Sequence, residues 1–297
     1  MQAETIYDVV FIGNYTKDTI ISAAGVRQVD GGGFNYGAHV AAMMGLKAAA
    51  VTRLAREDVR VVENLERLGV AVFPTYTPQS TCLTLDYPTA DPDHRIITVA
   101  ASAGAFTPEQ VRPLQARAFL VNASFRGEVG PEVMAELRAK SSLLAADAQG
   151  FLRVVSPEGT LAPAEWPERD RLLGALDIVK ADAVEARLLT GEEDPEQAAR
   201  RIARWGPREI VLTHREGVLV LAEGRLHRFP FRPRRLGGRS GRGDTCIAAY
   251  LCRRLSAPPA EAARWAAAVT SLKLEAEGPL RRSLGEAEEF LARIYPA

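Results

Sequence analysis

Lysine is scarce in this chain of 297 residues: five lysines stand against 32 arginines, so a lysine near a strand end carries more weight than usual. Cysteine is scarcer still. Cys82, Cys246 and Cys252 are odd in number and share no metal-ligand spacing, which excludes a disulfide framework and leaves them as buried thiols. The histidines, His39, His94, His214 and His227, form no i, i+4 pair and have no nearby cysteine, so a structural zinc site has no support. Neither sign of charge is in excess, with 37 basic and 37 acidic residues, and no global field draws the chain to nucleic acid or an anionic membrane. No run approaches the ~18 to 20 apolar residues of a membrane span, and the start Met1-Gln2-Ala3-Glu4 lacks the layout of a signal peptide. The expectation is a cytoplasmic protein. The first strand is followed by Gly13-Asn14-Tyr15-Thr16-Lys17-Asp18, with one glycine only, which removes the fingerprint of a dinucleotide-dependent oxidoreductase. No 20 to 50-residue repeat is present.

What is present is alternation. Tyr7 to Ile12 reads as a buried parallel strand closed by Gly13-Asn14, with room for a ligand beyond its end. Asn35 to Met44 is Ala-rich and helical with Gly45 as its C-cap, Ala48 to Thr52 is the next strand, and Asp58 to Leu68 is an amphipathic helix. Thr81 to Tyr87 and Ile96 to Ala100 alternate like exposed strands around the turn-rich Pro88 to Asp93, predicting a small antiparallel flap. Strands then recur at 118–122, 142–146, 176–180 and 209–213 with helices at 131–139, 182–189 and 195–205, and a hairpin joins Val218–Leu221 to Leu226–Phe229. Helices over Asp244–Leu255, Pro259–Glu277 and Gly285–Ile294 finish the chain. The pattern predicts an α/β fold, a doubly wound, mostly parallel sheet with helices on both faces, plus a small β lid. One domain over 1–297 is expected, its lid drawn from about 14–32 and 73–100.

The most informative stretch is Ser240-Gly241-Arg242-Gly243-Asp244-Thr245-Cys246-Ile247, a glycine turn and a carboxylate directly ahead of an apolar helix. Glycines let several backbone N–H groups point one way, and a helix start adds about half a positive charge there, so an anion is welcome. The spacing Gly238 to Gly243 is that of a phosphate-clamping loop, yet Asp244-Thr245 replace its Lys and hydroxyl residue. A carboxylate cannot clamp phosphate. It can take a proton from an alcohol while the neighbouring amides hold the phosphoryl oxygens. The same helix start is expected to lower the Asp244 pKa and keep it ionised.

With these elements in order, the chain resembles the ribokinase-like, or PfkB-type, carbohydrate kinases over nearly its whole length. The opening strand Asp8 to Gly13 with the following Asp18, the glycine signature Gly31-Gly32-Gly33, the helix ending Met43-Met44-Gly45-Leu46, and the second signature Ser240 to Thr245 carry the likeness. Between them, Lys180-Ala181-Asp182-Ala183-Val184-Glu185 resembles the family's Asn-x-x-Glu segment near magnesium and phosphate. The resemblance implies ATP-dependent phosphorylation of a hydroxyl on a sugar, inositol or nucleoside-like substrate, with Asp244 as base and the Gly241-Arg242-Gly243 backbone as anion hole. Asn14, Asp18, Gly31, Gly32, Gly33 and Tyr36 would meet the substrate. Lys180, Asp182, Thr213, Gly217 and Ser271 would lie by the nucleotide, and Glu185 would orient hydrated Mg²⁺. The family's pairing through the lid leaves a homodimer open. The sequence departs from the pattern in four ways: Asp182 stands for Asn, Arg242 for a small Ala, Tyr36 for a hydroxyl-binding Asn, and the Asp that usually precedes the second signature is absent.

Plainer readings exist for each residue. Asp244 is a good N-cap, Gly31 to Gly33 suit a tight turn, and Glu185 is a first-turn helix acid. The basic stretch Arg232, Arg234, Arg235, Arg239 and Arg242 invites nucleic acid, but no aromatic platform accompanies it. The competing class is a non-catalytic sugar- or nucleotide-binding regulator on the same fold, to which Asp182 and Tyr36 would lend support.

Overall fold

The computed structural model describes residues 5–23, 25–89 and 95–296; the chain start, Ala90 to Asp93 of the expected turn, and His94 lie outside them. A nine-stranded sheet forms the body. Ile6–Ile12 is an interior strand, third from one edge, because Val9 to Ile12 are apolar and buried on both faces. Gln115–Val121 and Ala48–Ala55 flank it in parallel. Ala71–Thr77 extends one side; Ser141–Asp147, Ile178–Asp182 and Glu209–Thr213 extend the other, all parallel. Gly217–Ala222 and Arg225–Pro230 close that edge as an antiparallel hairpin.

One face is covered by Gly33–Met43, Arg242–Arg254 and Pro259–Leu274, which pack against one another. Their small residues permit close approach: a Cβ on Gly37 would stand 2.5 Å from the Phe11 ring. The Ala-rich strand Ala48–Ala55 fits beneath this face despite alanine's low strand preference, so packing overrides propensity. The Pro259 helix ends at Leu274 rather than continuing to Glu277, because Gly237 and Gly238 pack onto the Glu275–Glu277 backbone.

The lid is a separate four-stranded sheet in the order Gly25–Asp30, Thr16–Ser22, Thr81–Asp86, Ile96–Ala101. Thr81–Asp86 and Ile96–Ala101 pair antiparallel, as the flap expectation has it, whereas the central pair, Thr16–Ser22 with Thr81–Asp86, is parallel. Thr16–Ser22 follows Ile6–Ile12 and Thr81–Asp86 follows Ala71–Thr77; both leave parallel strands of the main sheet and so travel the same way. Several short elements have no counterpart in the sequence reading, among them Arg169–Gly174 and the hairpin Arg153–Val155 with Leu161–Pro163. That hairpin reaches the lid: Val99 N donates to Gly159 O at 2.8 Å and Thr98 bridges Thr160.

Candidate active site

The parallel strands deliver their C-terminal ends to one cleft of about 790 Å³, the location where open α/β sheets hold ligands. Asp147, Lys180, Asp182 and Thr213 arrive from strand ends, Arg242 to Asp244 from the helix start, and Arg95 to Ile97 from the lid. Gly241 has the left-handed φ of 78° that the turn into the helix needs, and a Cβ there would strike the Tyr36 ring. The two glycine signatures therefore converge. A Cβ on Gly33 would sit 2.5 Å from Asp244 Oδ1, and one on Gly243 would sit 2.8 Å from Lys180 Nζ. Asp244 Oδ1 also accepts a long hydrogen bond from Asn122 Nδ2, 3.4 Å away.

Electrostatics differ from expectation at Asp244. Burial raises the Asp244 pKa above the ordinary carboxylate value, although Lys180, its own helix-start amide and Arg95 all act to lower it. The expected downward shift fails because loss of hydration outweighs the helix field. Lys180 is nearly inaccessible, and burial alone would discharge it, yet Asp147, Glu185 and Asp182 hold its pKa above the ordinary value. Its Nζ lies 2.9 Å from Asp147 Oδ2 and 3.7 Å from Glu185 Oε2. The cleft thus keeps a fixed ammonium directly under the glycine turn.

Asp182 and Glu185 form a capping box for Ala183–Thr190: each side chain accepts from the other's backbone N–H, at 2.8 Å in both directions. Asp182 therefore serves its helix as well as the cleft. Burial opposes charge on Glu185, but Lys180 and Arg153 keep its pKa below the ordinary value, and Arg153 Nη2 donates to it at 3.0 Å. Among the described residues no cluster of three or more His, Cys, Asp or Glu is arranged to hold a metal directly. The acidic lining of Asp147, Asp182 and Glu185 suits the water shell of a hydrated cation instead.

Beyond the end of the first strand, Asp18, Asn14, Gly31, Gly32 and Gly33 come together. A Cβ on Gly31 would collide with Asp18 and Thr16, and one on Gly32 would approach Asn14 O at 2.6 Å. Burial pushes the Asp18 carboxyl up to about 7, against a hydrogen bond from Thr16. Tyr36 is buried against the Gly241 turn. Two expected nucleotide contacts lie elsewhere. Gly217 is closed over by Phe229 O within the edge hairpin. Ser271 is wholly buried; its hydroxyl donates to Ala267 O, accepts from Arg232 N, and meets the Tyr295 hydroxyl. Arg95, Asn122, Asp147, Arg153 and Arg215 escaped the sequence reading. Asp147 ends the strand read over 142–146, and its place one residue beyond that strand was the available signal.

This geometry defines a phosphotransferase-like α/β protein, and comparison with known proteins agrees. Residues 3–283 match the pfkB family of carbohydrate kinases, and the chain belongs to that family. Cytidine kinase of Thermococcus kodakarensis is 25% identical over 259 residues, spanning 82% of this chain and 87% of its own. Among solved structures, a sulfate complex of a pyrophosphate-dependent kinase in the ribokinase family is similar at a TM-score of 0.88 with 35% identity, covering 95% of this chain and 99% of the other. A pyrophosphate-dependent kinase of that family, complexed with a pyrophosphate analog and myo-inositol, gives 0.87 and 34%, with coverages of 95% and 99%.

Proposed function

We propose that the protein transfers a phosphoryl group to one hydroxyl of a neutral polyol of the inositol kind, with Asp244 as general base and pyrophosphate as the favoured donor. The observation that carries the reading is the meeting of Asp244 Oδ1 with Gly33 and Asn122 on one side and with the Gly243–Lys180 contact on the other. The acceptor oxygen loses its proton to Asp244 and forms a bond to phosphorus as the bond to the leaving phosphate breaks. The Gly241 to Gly243 amides and Lys180 offset the charge on the phosphoryl oxygens. The raised Asp244 pKa makes its carboxylate a stronger proton acceptor than an ordinary aspartate. Mg²⁺ carried on the donor would add charge neutralisation, its waters accepted by Asp147, Asp182 and Glu185.

Pyrophosphate is favoured over the ATP expected from family resemblance on two grounds. Ser271 and Gly217, two of the five residues assigned to the nucleotide, do not line the cleft, although Lys180, Asp182 and Thr213 do, whereas Arg153, Arg215, Arg239 and Arg242 line it as well. The relatives at 34 to 35% identity are named as pyrophosphate-dependent. ATP is the second reading, supported by Val184 and Leu188, which are exposed and apolar at the cleft's rim. Initial rates with myo-inositol and either magnesium pyrophosphate or magnesium ATP decide between them. Higher kcat/KM for pyrophosphate supports the proposal, and higher kcat/KM for ATP reverses the donor assignment. Polyol binding without turnover on either donor favours the non-catalytic regulator.

A further inference from the structure

Glu128 has no place in the mechanism above, yet it is one of the most completely enclosed charged side chains, 1% exposed. It sits in the loop after Gln115–Val121, and burial pushes its carboxyl up to about 7. One oxygen accepts from Ser124 N at 2.6 Å; the other accepts from Asn14 Nδ2 at 2.8 Å. Its own backbone is tied as well, since Phe106 N donates to Glu128 O at 2.7 Å. Asn14 Nδ2 has a second acceptor in Gly104 O, 3.0 Å away. Turning the amide over would set Asn14 Oδ1 against two acceptors, so Glu128 and Gly104 dictate its orientation.

The consequence falls on the acceptor site. Asn14 Oδ1 faces away from its NH₂ partners and is buried with no hydrogen-bond partner among the described residues. Asp18 Oδ1 and Asn122 Oδ1 are in the same condition. Asn122 touches Asp244 and Asp18 feels its charge, while Asn14 lies at the first strand's end against Gly32. Leaving a buried acceptor unpaired costs about 1–3 kcal/mol, so these oxygens call for donors from a ligand. Resting on the kinase reading, we infer that Glu128 is a positioning residue that fixes this subsite as an array of oxygens. Such an array selects a neutral polyol by its O–H donors, and rejects compounds whose corresponding hydroxyls are etherified, phosphorylated or replaced by carboxylate. Asn14 supplies the contact, and Glu128 decides which end of the amide makes it.

The test compares wild type with Glu128→Gln, because glutamine places an acceptor at only one of the two oxygen positions and an NH₂ donor at the other, where Ser124 N or Asn14 Nδ2 needs an acceptor. Rates with myo-inositol and a set of mono-O-methyl inositols are measured with whichever donor the wild type uses, alongside calorimetric binding of the same compounds without donor. Glu128→Gln is expected to raise KM and Kd for inositol about 10-fold, equivalent to ~1.4 kcal/mol, while kcat stays within about three-fold. Its preference for inositol over at least one methyl ether should narrow, since a flipped Asn14 offers a donor to the ether oxygen. Asn14→Asp, which keeps an oxygen facing the ligand but places a second carboxylate against Glu128, should also weaken inositol binding. Unchanged KM, Kd and preference in Glu128→Gln would overturn the inference, as would a fall in kcat with KM unmoved. If wild type binds inositol in a Glu128-dependent manner but transfers no phosphoryl group, the kinase reading falls and the positioning role stands.

Discussion

Asp18 illustrates how a single buried carboxyl ties stability to pH. Its ordinary pKa of 3.8 rises to about 7 in the fold because burial penalises the charged form. The folded state therefore holds this proton more tightly than the unfolded state, so its contribution to stability is greatest below the ordinary pKa and declines as pH rises to about 7. Urea midpoints at pH 5 and pH 8 should accordingly differ less in Asp18→Asn than in wild type; an undiminished difference would show that another group is responsible. The residue was legible from its place after the first strand, because a carboxylate beyond a buried strand's end has few places to go. Asn122 was not, since nothing local distinguishes an Asn in Val121-Asn122-Ala123 from a loop polar residue. Its contact with Asp244 spans 122 residues of sequence. Lys180 was marked by its scarcity and strand-end position, but its pairing with Asp147 depends on two strands being neighbours, which only the sheet order reveals.

At the scale of elements, the glycine turn into Arg242–Arg254 is the joint on which the site depends. Gly241 combines a φ of 78° with direct contact to Tyr36, two demands that alanine cannot meet. The left-handed backbone alone costs a non-glycine residue roughly 1–2 kcal/mol, and the clash adds to it. Gly241→Ala should lower both the melting temperature and kcat, with part of the stability restored by Tyr36→Leu; a variant that melts and turns over like wild type would refute the joint. Most regular elements could be read from hydrophobic period and caps, because buried strands and capped helices write their signals locally. The Arg153–Pro163 hairpin was missed because its short strands carry a proline and little alternation. Its pairing is supplied by the lid and by Arg153, which is anchored on Glu185. The lid's parallel centre was missed for a similar reason: strand direction follows from where the chain leaves the main sheet, which periodicity does not encode.

For the whole molecule, one cleft between lid and body brings together residues of very different charge. Asp244 lines the cleft together with Lys180 and arginines from several elements, while Asn122, which touches Asp244, and Asn14 and Asp18 carry buried oxygens with no partner among the described residues. This division was only half visible in the sequence. The two glycine signatures announced phosphoryl chemistry, but the arginines are dispersed from 95 to 242 and acquire a common direction only in the fold. Polarity of this kind suits a neutral acceptor and a compact, highly charged donor, and Asp244 stands at the boundary between them. The most direct test is the single-turnover rate of phosphoryl transfer from magnesium pyrophosphate to myo-inositol in wild type and Asp244→Asn, with inositol affinity measured on both. Loss of a general base should slow transfer by about 10²–10⁴-fold while the inositol dissociation constant changes little. An Asp244→Asn enzyme that transfers phosphate at a rate near that of wild type would contradict the account.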